Sequence, residues 1–566
     1  MKLIRWFAAI SFALILVVAA WLWWSRPQSS DMAEYAPADA LVYLECNSLV
    51  DVVDAIAGTD AWKDLSPLLG TSGRQPPNRW LTRLVSWTGL GPARTVILAR
   101  AQLATVMLDL GAREQGETLT IRPEAAILIE THTAERRIRP TVEEALRLFA
   151  EKSYSQPALR RTEVAGSELL VWTTPTSERQ IVAAIDGTLV IIGNSERAVK
   201  TCLEVRRGQR PSLKSHPEMQ QMRRQLRAAD ALAFGFISSP NAARLFSIGA
   251  PLLFGRTPGD ARFDRIIGAS ASKVLAGVGW SSRPSLGGIE DRYLFSLQST
   301  LVSRLQPQFR PTNTAIQVLD MLPSEVHSVS VYRFENPVAT WQTLETSLSS
   351  QLDTLSAMLV SALLKSALTS YGIEDPERFL SLVGPELSTV RLTRDTEHST
   401  LIAQVRDEAS LRRLLLGSDE RNLKHNSIGD ADLIEIPGRT VAVSFMKGMV
   451  LIGPPADLRM HLQAATGNRA SSDRIERLEH FLARSNSASV VTYTRETDQV
   501  MKFVQAIFRA SGDAPATRES TELSRKIEQL PYSATETTLG DQGLERTTRS
   551  SFGQFATLIP LLFPER

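Results

Sequence analysis

Ile181 to Val205, IVAAIDGTLVIIGNSERAVKTCLEV, has a counterpart at Val441 to Ala465, VAVSFMKGMVLIGPPADLRMHLQAA, offset by 260 residues without a gap. Each stretch reads as an apolar strand, a turn at Gly187 or Gly448, a second strand ending at Gly193 or Gly453, and a helix. The positions that agree in kind are apolar or glycine: Val190 with Val450, Ile192 with Ile452, Gly193 with Gly453. Packing and turn chemistry recur here, whereas reactive side chains do not.

The match extends outward in both directions. GPARTVILAR meets GPELSTVRLTR, EAAILIETH meets STLIAQVRD, ADALAFGFIS meets SASVVTYTR, and GGIEDRYLFSL meets QGLERTTRSSF. The order is kept while the offset drifts from 286 (Pro323 against Pro37) to 255 (Glu545 against Glu290), as loop insertions allow at little free-energy cost. The expected architecture is α+β: two tandem repeats, each a mainly antiparallel sheet with inserted helices, after one N-terminal transmembrane helix. The boundaries are a signal anchor at 1–26, a polar stalk at 27–36, repeat one at 37–302, a linker at 303–318 and repeat two at 319–566.

Lys2 and Arg5 precede an uncharged run of 19 residues from Trp6 to Trp24. As a helix that run measures about 28 Å at ~1.5 Å per residue, enough for a hydrocarbon core of about 30 Å. Trp21, Trp23 and Trp24 fall at the far end, where indoles favour the headgroup layer, and Arg26 closes the segment. The anchor residues are therefore Lys2, Arg5, Trp6, Trp21, Trp23 and Trp24. Positive charge before the run, with Asp31 and Glu34 after it, places the N-terminus in the cytoplasm and the bulk of the chain outside the inner membrane. Val18 and Ala20 also satisfy the small-residue rule for cleavage after Ala20, the competing reading. Both readings export the chain.

A hydrophobic content of 43% and a charged content of 22% are ordinary for globular protein. The net charge of +2 gives no drive toward nucleic acid, and arginine clusters such as EVRRGQR sit at helical spacing among acids. The expected partners are the membrane, through the N-terminal helix, and an envelope protein, with no nucleic acid.

Along the chain, Val42, Leu44 and Cys46 alternate as a half-buried strand, and Leu49, Val52, Val53 and Ile56 follow at helical spacing behind a cap at Asn47 or Ser48. NRWLTRLVSWTGLG reads as a core-packing helix. RTVILARA and ATVMLDL read as strands, GAREQGET as a polar loop, and TVEEALRLFAEKSY after Pro140 as an amphipathic helix.

No constellation carries chemistry. The histidines at 132, 216, 327, 398, 425, 461 and 480 are scattered, and no HExxH or CxxC appears. GLGPAR and GVGWSS lack the last glycine of GxGxxG, and GASAS has Ser272 where a nucleophile elbow needs glycine. The polar positions shared by the two halves are Arg100 with Arg394, read as structural, and Glu290 with Glu545, with Glu290 read as a surface turn residue. Cys46 and Cys202 are read as buried free thiols, with a disulfide between them as the competing reading in an exported chain. No catalytic, cofactor-binding or metal-ligating residue is assigned, and no cofactor.

With its N-terminal run, the opening strand PADALVYL and the later hairpin-glycine-helix pattern, the chain resembles a family of exported, membrane-anchored bacterial proteins known as a domain of unknown function. The resemblance implies export and an α+β fold, and it supplies no catalytic residues. The functional expectation is a membrane-anchored periplasmic protein of non-enzymatic binding or scaffolding type in the cell envelope. The alternative is an envelope-acting hydrolase whose site is not visible in the sequence.

Overall fold

The structure, a computed structural model, describes residues 30–562 except 70–100, 116–117, 155, 165, 175–176, 254–269, 313–316, 353, 395–398, 418–422, 430, 467–472 and 512–516. All six anchor residues, the helix expected in NRWLTRLVSWTGLG and Arg100 lie outside the described residues.

A single antiparallel sheet of 20 strands runs through the molecule. Numbered in chain order, its first half runs from the edge as β4 (Ala158–Val164), β5 (Ser167–Thr174), β6 (Ser177–Asp186), β7 (Leu189–Gly193) and β3 (Thr118–Glu130). It continues through β2 (Gln102–Gln115), β1 (Val42–Cys46), β8 (Ala233–Ser238), β9 (Leu275–Ser285) and β10 (Gly288–Leu297). There β10 pairs with β20 (Gly543–Ser550), followed by β19 (Ser533–Gly540), β18 (Val490–Thr494), β11 (Ser328–Arg333) and β12 (Val383–Arg391). The far edge is β13 (Thr400–Val405), β17 (Met449–Gly453), β16 (Ala442–Met446), β15 (Ala431–Glu435) and β14 (Lys424–Ile428).

This corrects the expectation of two tandem repeat domains, each with its own sheet; the transmembrane helix expected before them lies outside the described residues. One sheet carries both halves, and no helix among the described residues is long and apolar enough to cross a membrane. The physical reason is the strand edge: β10 or β20 ending a separate sheet would leave a row of unpaired backbone groups, and their mutual pairing satisfies them.

Both faces are covered. Alternation sends Tyr43, Phe234, Val331 and Val390 to one face, under helices such as Glu196–Arg206 and Pro455–Thr466. Leu44, Trp280, Leu387 and Leu401 point to the other, under helices such as Leu49–Gly58, Pro337–Gln351 and Thr497–Ser511.

Local signals explain several elements. Lys447 and Gly448 both have positive φ, 50° and 75°, which a two-residue β16–β17 turn matching strand twist requires. Ser48 caps Leu49–Gly58 by accepting from the Asp51 amide at 3.1 Å. Three expectations change. Within GAREQGET, residues 111–115 and Thr118 belong to the long β2 and β3 strands, whose pairing reaches Gln115 with Thr118. The helix placed after Pro140 begins earlier and spans Glu135–Ser153. Within the expected polar stalk, Met32, Ala33, Tyr35 and Ala36 are buried, and Arg223 holds Asp31 at 2.8 Å.

Candidate functional site

A cavity of about 630 Å³ lies between the sheet and two helices, Pro337–Gln351 and Thr354–Thr369. Its floor follows from strand register. Thr492, Ser330 and Thr389 are cross-strand neighbours on β18, β11 and β12, with Leu401 of β13 beyond them. One pair of positions outward lies Thr494, Ser328 and Arg391, and inward lie Tyr332 and Leu387. The sheet thus presents a band of hydroxyls flanked by apolar groups.

Some of the hydroxyls bond one another: Ser330 with Thr492 at 3.0 Å, and Tyr371 with Ser399 at 2.5 Å. Phe309, Phe334, Trp341, Leu344 and Leu368 form the apolar wall and roof. Phe309 comes from the segment expected as a linker, which is tied down where Thr340 Oγ1 donates to the Gln308 carbonyl at 2.9 Å.

The end of the cavity at His327 and Arg391 meets a polar cleft containing Glu325, Arg394, Arg495, Asp498 and Glu528. There Arg394 pairs with Asp498 at 3.1 Å and Arg495 with Glu325 at 3.0 Å. The imidazole of His327 is held below its ordinary range, first by burial and then by the guanidinium charges of Arg391, Arg394 and Arg495, with Asp498 opposing. Arg391 has no hydrogen bond or ion pair through its guanidinium among the described residues, and it lines the cavity.

The cavity's titratable side chains among the described residues are His327, Tyr332, Tyr371 and Arg391, with no Asp, Glu or Cys. Three hydroxyl pairs, Ser330 with Thr492, Tyr332 with Thr389 and Tyr371 with Ser399, form within the cavity without His327. The arrangement suits non-covalent capture: an apolar bed, adaptable hydroxyls and one cation at the end.

The residues singled out in the sequence lie elsewhere. Glu290 is not a turn residue; it sits within β10, its side chain 13% exposed, held by Arg292 at 2.7 Å and Arg549 at 3.1 Å. Glu545 stands on the neighbouring strand β20, opposite Leu294. Arg394 is at the cleft beside the cavity. Cys202 is buried and Cys46 half-buried, both free, packed on opposite faces of the sheet. His461 is fully buried, its Nδ1 bonded to the Met321 carbonyl at 2.7 Å, and burial lowers its pKa to about 4. Among the described residues no group of three or more His, Cys, Asp or Glu is placed to hold a metal ion.

Sequence reasoning missed Arg391, Phe309 and Trp341. The available signal was the alternation Ser328, Ser330 and Thr492, Thr494, which puts small hydroxyls on a strand face where apolar packing would be expected.

No protein-family model matches this chain, and no curated protein or solved structure matches it either.

Proposed function

We propose that this protein is a non-enzymatic binding protein of the cell envelope, held at the inner membrane by residues 1–26 with the bulk of the chain on the periplasmic side. The location rests on Lys2, Arg5 and the run from Trp6 to Trp24. The observation that carries the binding reading is the cavity of about 630 Å³ with an apolar wall, a hydroxyl floor and no carboxylate among its described lining residues.

Two measurements test it. Protease added to cells stripped of their outer layer should digest the chain beyond Gln28, and protection of the whole chain would remove the envelope location. The full-length protein incubated with an envelope extract should retain a component that native mass spectrometry releases unchanged. Release of that component cleaved would turn the reading toward a hydrolase.

A further inference from the structure

We propose that the cavity binds a single-chain amphiphile with a carboxylate head, of the fatty-acid class, its head on Arg391 and its tail along the bed formed by Leu387, Leu344 and Trp341. This rests on the binding reading above and names the ligand it implies.

Three features fix the chemistry. The cavity is elongated along the strands: Ser328 and Tyr332 of β11 both line it, four residues apart, which corresponds to about 13 Å at ~3.3 Å per residue. Such a slot takes a chain rather than a disc. Its apolar groups come from both sides, with Leu387 on the sheet and Trp341, Leu344 and Leu368 on the helices, so a flexible alkyl chain is enclosed on each flank.

The polarity is asymmetric. Phe309 and Phe334 are stacked edge to face, their centroids 5.4 Å apart, toward the end of β11 remote from His327. The opposite end carries Arg391. Of the arginines there, Arg394 and Arg495 already hold Asp498 and Glu325, whereas Arg391 keeps its fork for a ligand. A guanidinium meets a carboxylate through two parallel hydrogen bonds, and a half-buried site strengthens them. A bulky or dianionic head would also meet the carboxylates of Glu325, Asp498 and Glu528 in the adjoining cleft, which favours a small monoanion.

The test is equilibrium dialysis of labelled dodecanoate against the full-length chain in lipid nanodiscs, with empty nanodiscs as reference and decanoate and dodecan-1-ol as competitors. Saturable binding of one dodecanoate per chain is expected, with decanoate weaker by about 15-fold, since each CH₂ is worth about fourfold. R391Q should weaken dodecanoate roughly 10- to 100-fold while leaving dodecan-1-ol within about twofold. Leu344→Trp, which fills the slot from the helix side, should abolish both, with an unchanged melting temperature showing that the chain is folded. Uptake no greater than in empty nanodiscs would overturn the proposal, as would equal loss of acid and alcohol in R391Q or unaltered binding in L344W. Those results leave the envelope-extract measurement intact, because a retained component of another chemistry would still support binding.

Discussion

Glu290 of β10 and Arg549 of β20 face each other across a backbone ladder and join their side chains at 3.1 Å, at the seam where the two halves of the chain become one sheet. The ladder pairs eight residues from each strand, Ile289 with Ser550 through Ser296 with Gly543. Apolar contact reinforces it, since Val52, Ile56 and Trp62 share a core cluster with Phe503, Ile527 and Phe552. A protease site placed at Pro311 should therefore yield two fragments that co-elute in native buffer, at high salt as well as low, and part in denaturant. Elution as separate species in native buffer would show that the seam does not hold the molecule. The ion pair itself is a small part of this: Glu290→Ala should cost about 1 kcal/mol or less, because Arg549 is half exposed.

Gly543 starts β20 with φ of 140°, and a Cβ there would run into the Phe295 carbonyl oxygen and the Leu297 amide, both backbone atoms that cannot turn aside. Gly543→Ala should lower stability by roughly 2–3 kcal/mol, against about 1 kcal/mol for Gly448→Ala, where φ is 75° and nothing stands within 4 Å. Equal losses in urea titration would mean that close approach at the seam is unimportant.

These elements differ in how much the sequence reveals. The hairpins β6–β7 and β16–β17 and the helices after them are legible because Gly187-Thr188 and Lys447-Gly448 carry their turn chemistry locally. The pairing of Glu290 with Arg549 is set by strands 259 residues apart, and nothing within either strand names the other. Tyr35 looked like part of a stalk because its burial depends on Glu130, which its hydroxyl reaches at 3.3 Å. The cavity was hidden for a similar reason: Arg391 ends an ordinary alternating strand, and its openness to a ligand is decided by Asp498 and Glu325 taking its neighbours instead.

Arg333 is the largest fully buried side chain among the described residues, with Nη2 donating to the Ser485 carbonyl and to that of Ala488 at 3.1 Å, and it faces buried Glu386 in the β11–β12 register. Arg333→Met should cost about 3–5 kcal/mol by removing the Ser485 and Ala488 carbonyl contacts and the cation whose charge acts on Glu386, which keeps the Val318 amide at 3.4 Å. Adding Glu386→Gln should recover much of that loss. A double variant as unstable as the single one would place the effect in the lost carbonyl contacts instead.

Cys46 packs with Trp62 and Trp280 on one face of the sheet, and Cys202 with Tyr43 and Phe234 on the other. Burial pushes their thiols up to about 11 and about 12, so little thiolate forms at neutral pH. Alkylation at pH 7.5 without reductant should label Cys202 once the chain is unfolded and leave it unlabelled in the native protein. A mass lower by two hydrogens and no labelling after unfolding would mean a bridge.

Asp291 and Glu496 bring two carboxyl groups together beneath the turn at 551–554. Asp291 is 2% exposed and accepts from Trp280 Nε1 and the Gln554 amide, each at 2.9 Å, while Glu496 accepts from the Ser551 amide at 3.1 Å. Burial raises Asp291 to about 6, and burial together with the Asp291 charge raises Glu496 to about 7. Both values lie above those of an unfolded chain, so the folded protein binds more protons than the unfolded one between about pH 4 and pH 7. Their contribution is fully present below pH 4, falls as pH rises through that window, and levels off above it. The fall for Asp291 is on the order of 3 kcal/mol, about two pKa steps at ~1.36 kcal/mol each. The fall for partly buried Glu496 is smaller than its shift suggests. Ion-paired carboxylates with lowered values, such as Glu290, work in the opposite sense, so the informative quantity is a difference between proteins. Asp291→Asn, which keeps the shape and cannot ionise, should be more stable relative to the parent at pH 8 than at pH 5 by about 1.4 kcal/mol in urea denaturation, because only the step from pH 5 to the folded value of about 6 falls in that interval. The same pH dependence in parent and variant would mean that Asp291 is ionised in the folded protein at pH 5, and that its partners stabilise the charge rather than the proton.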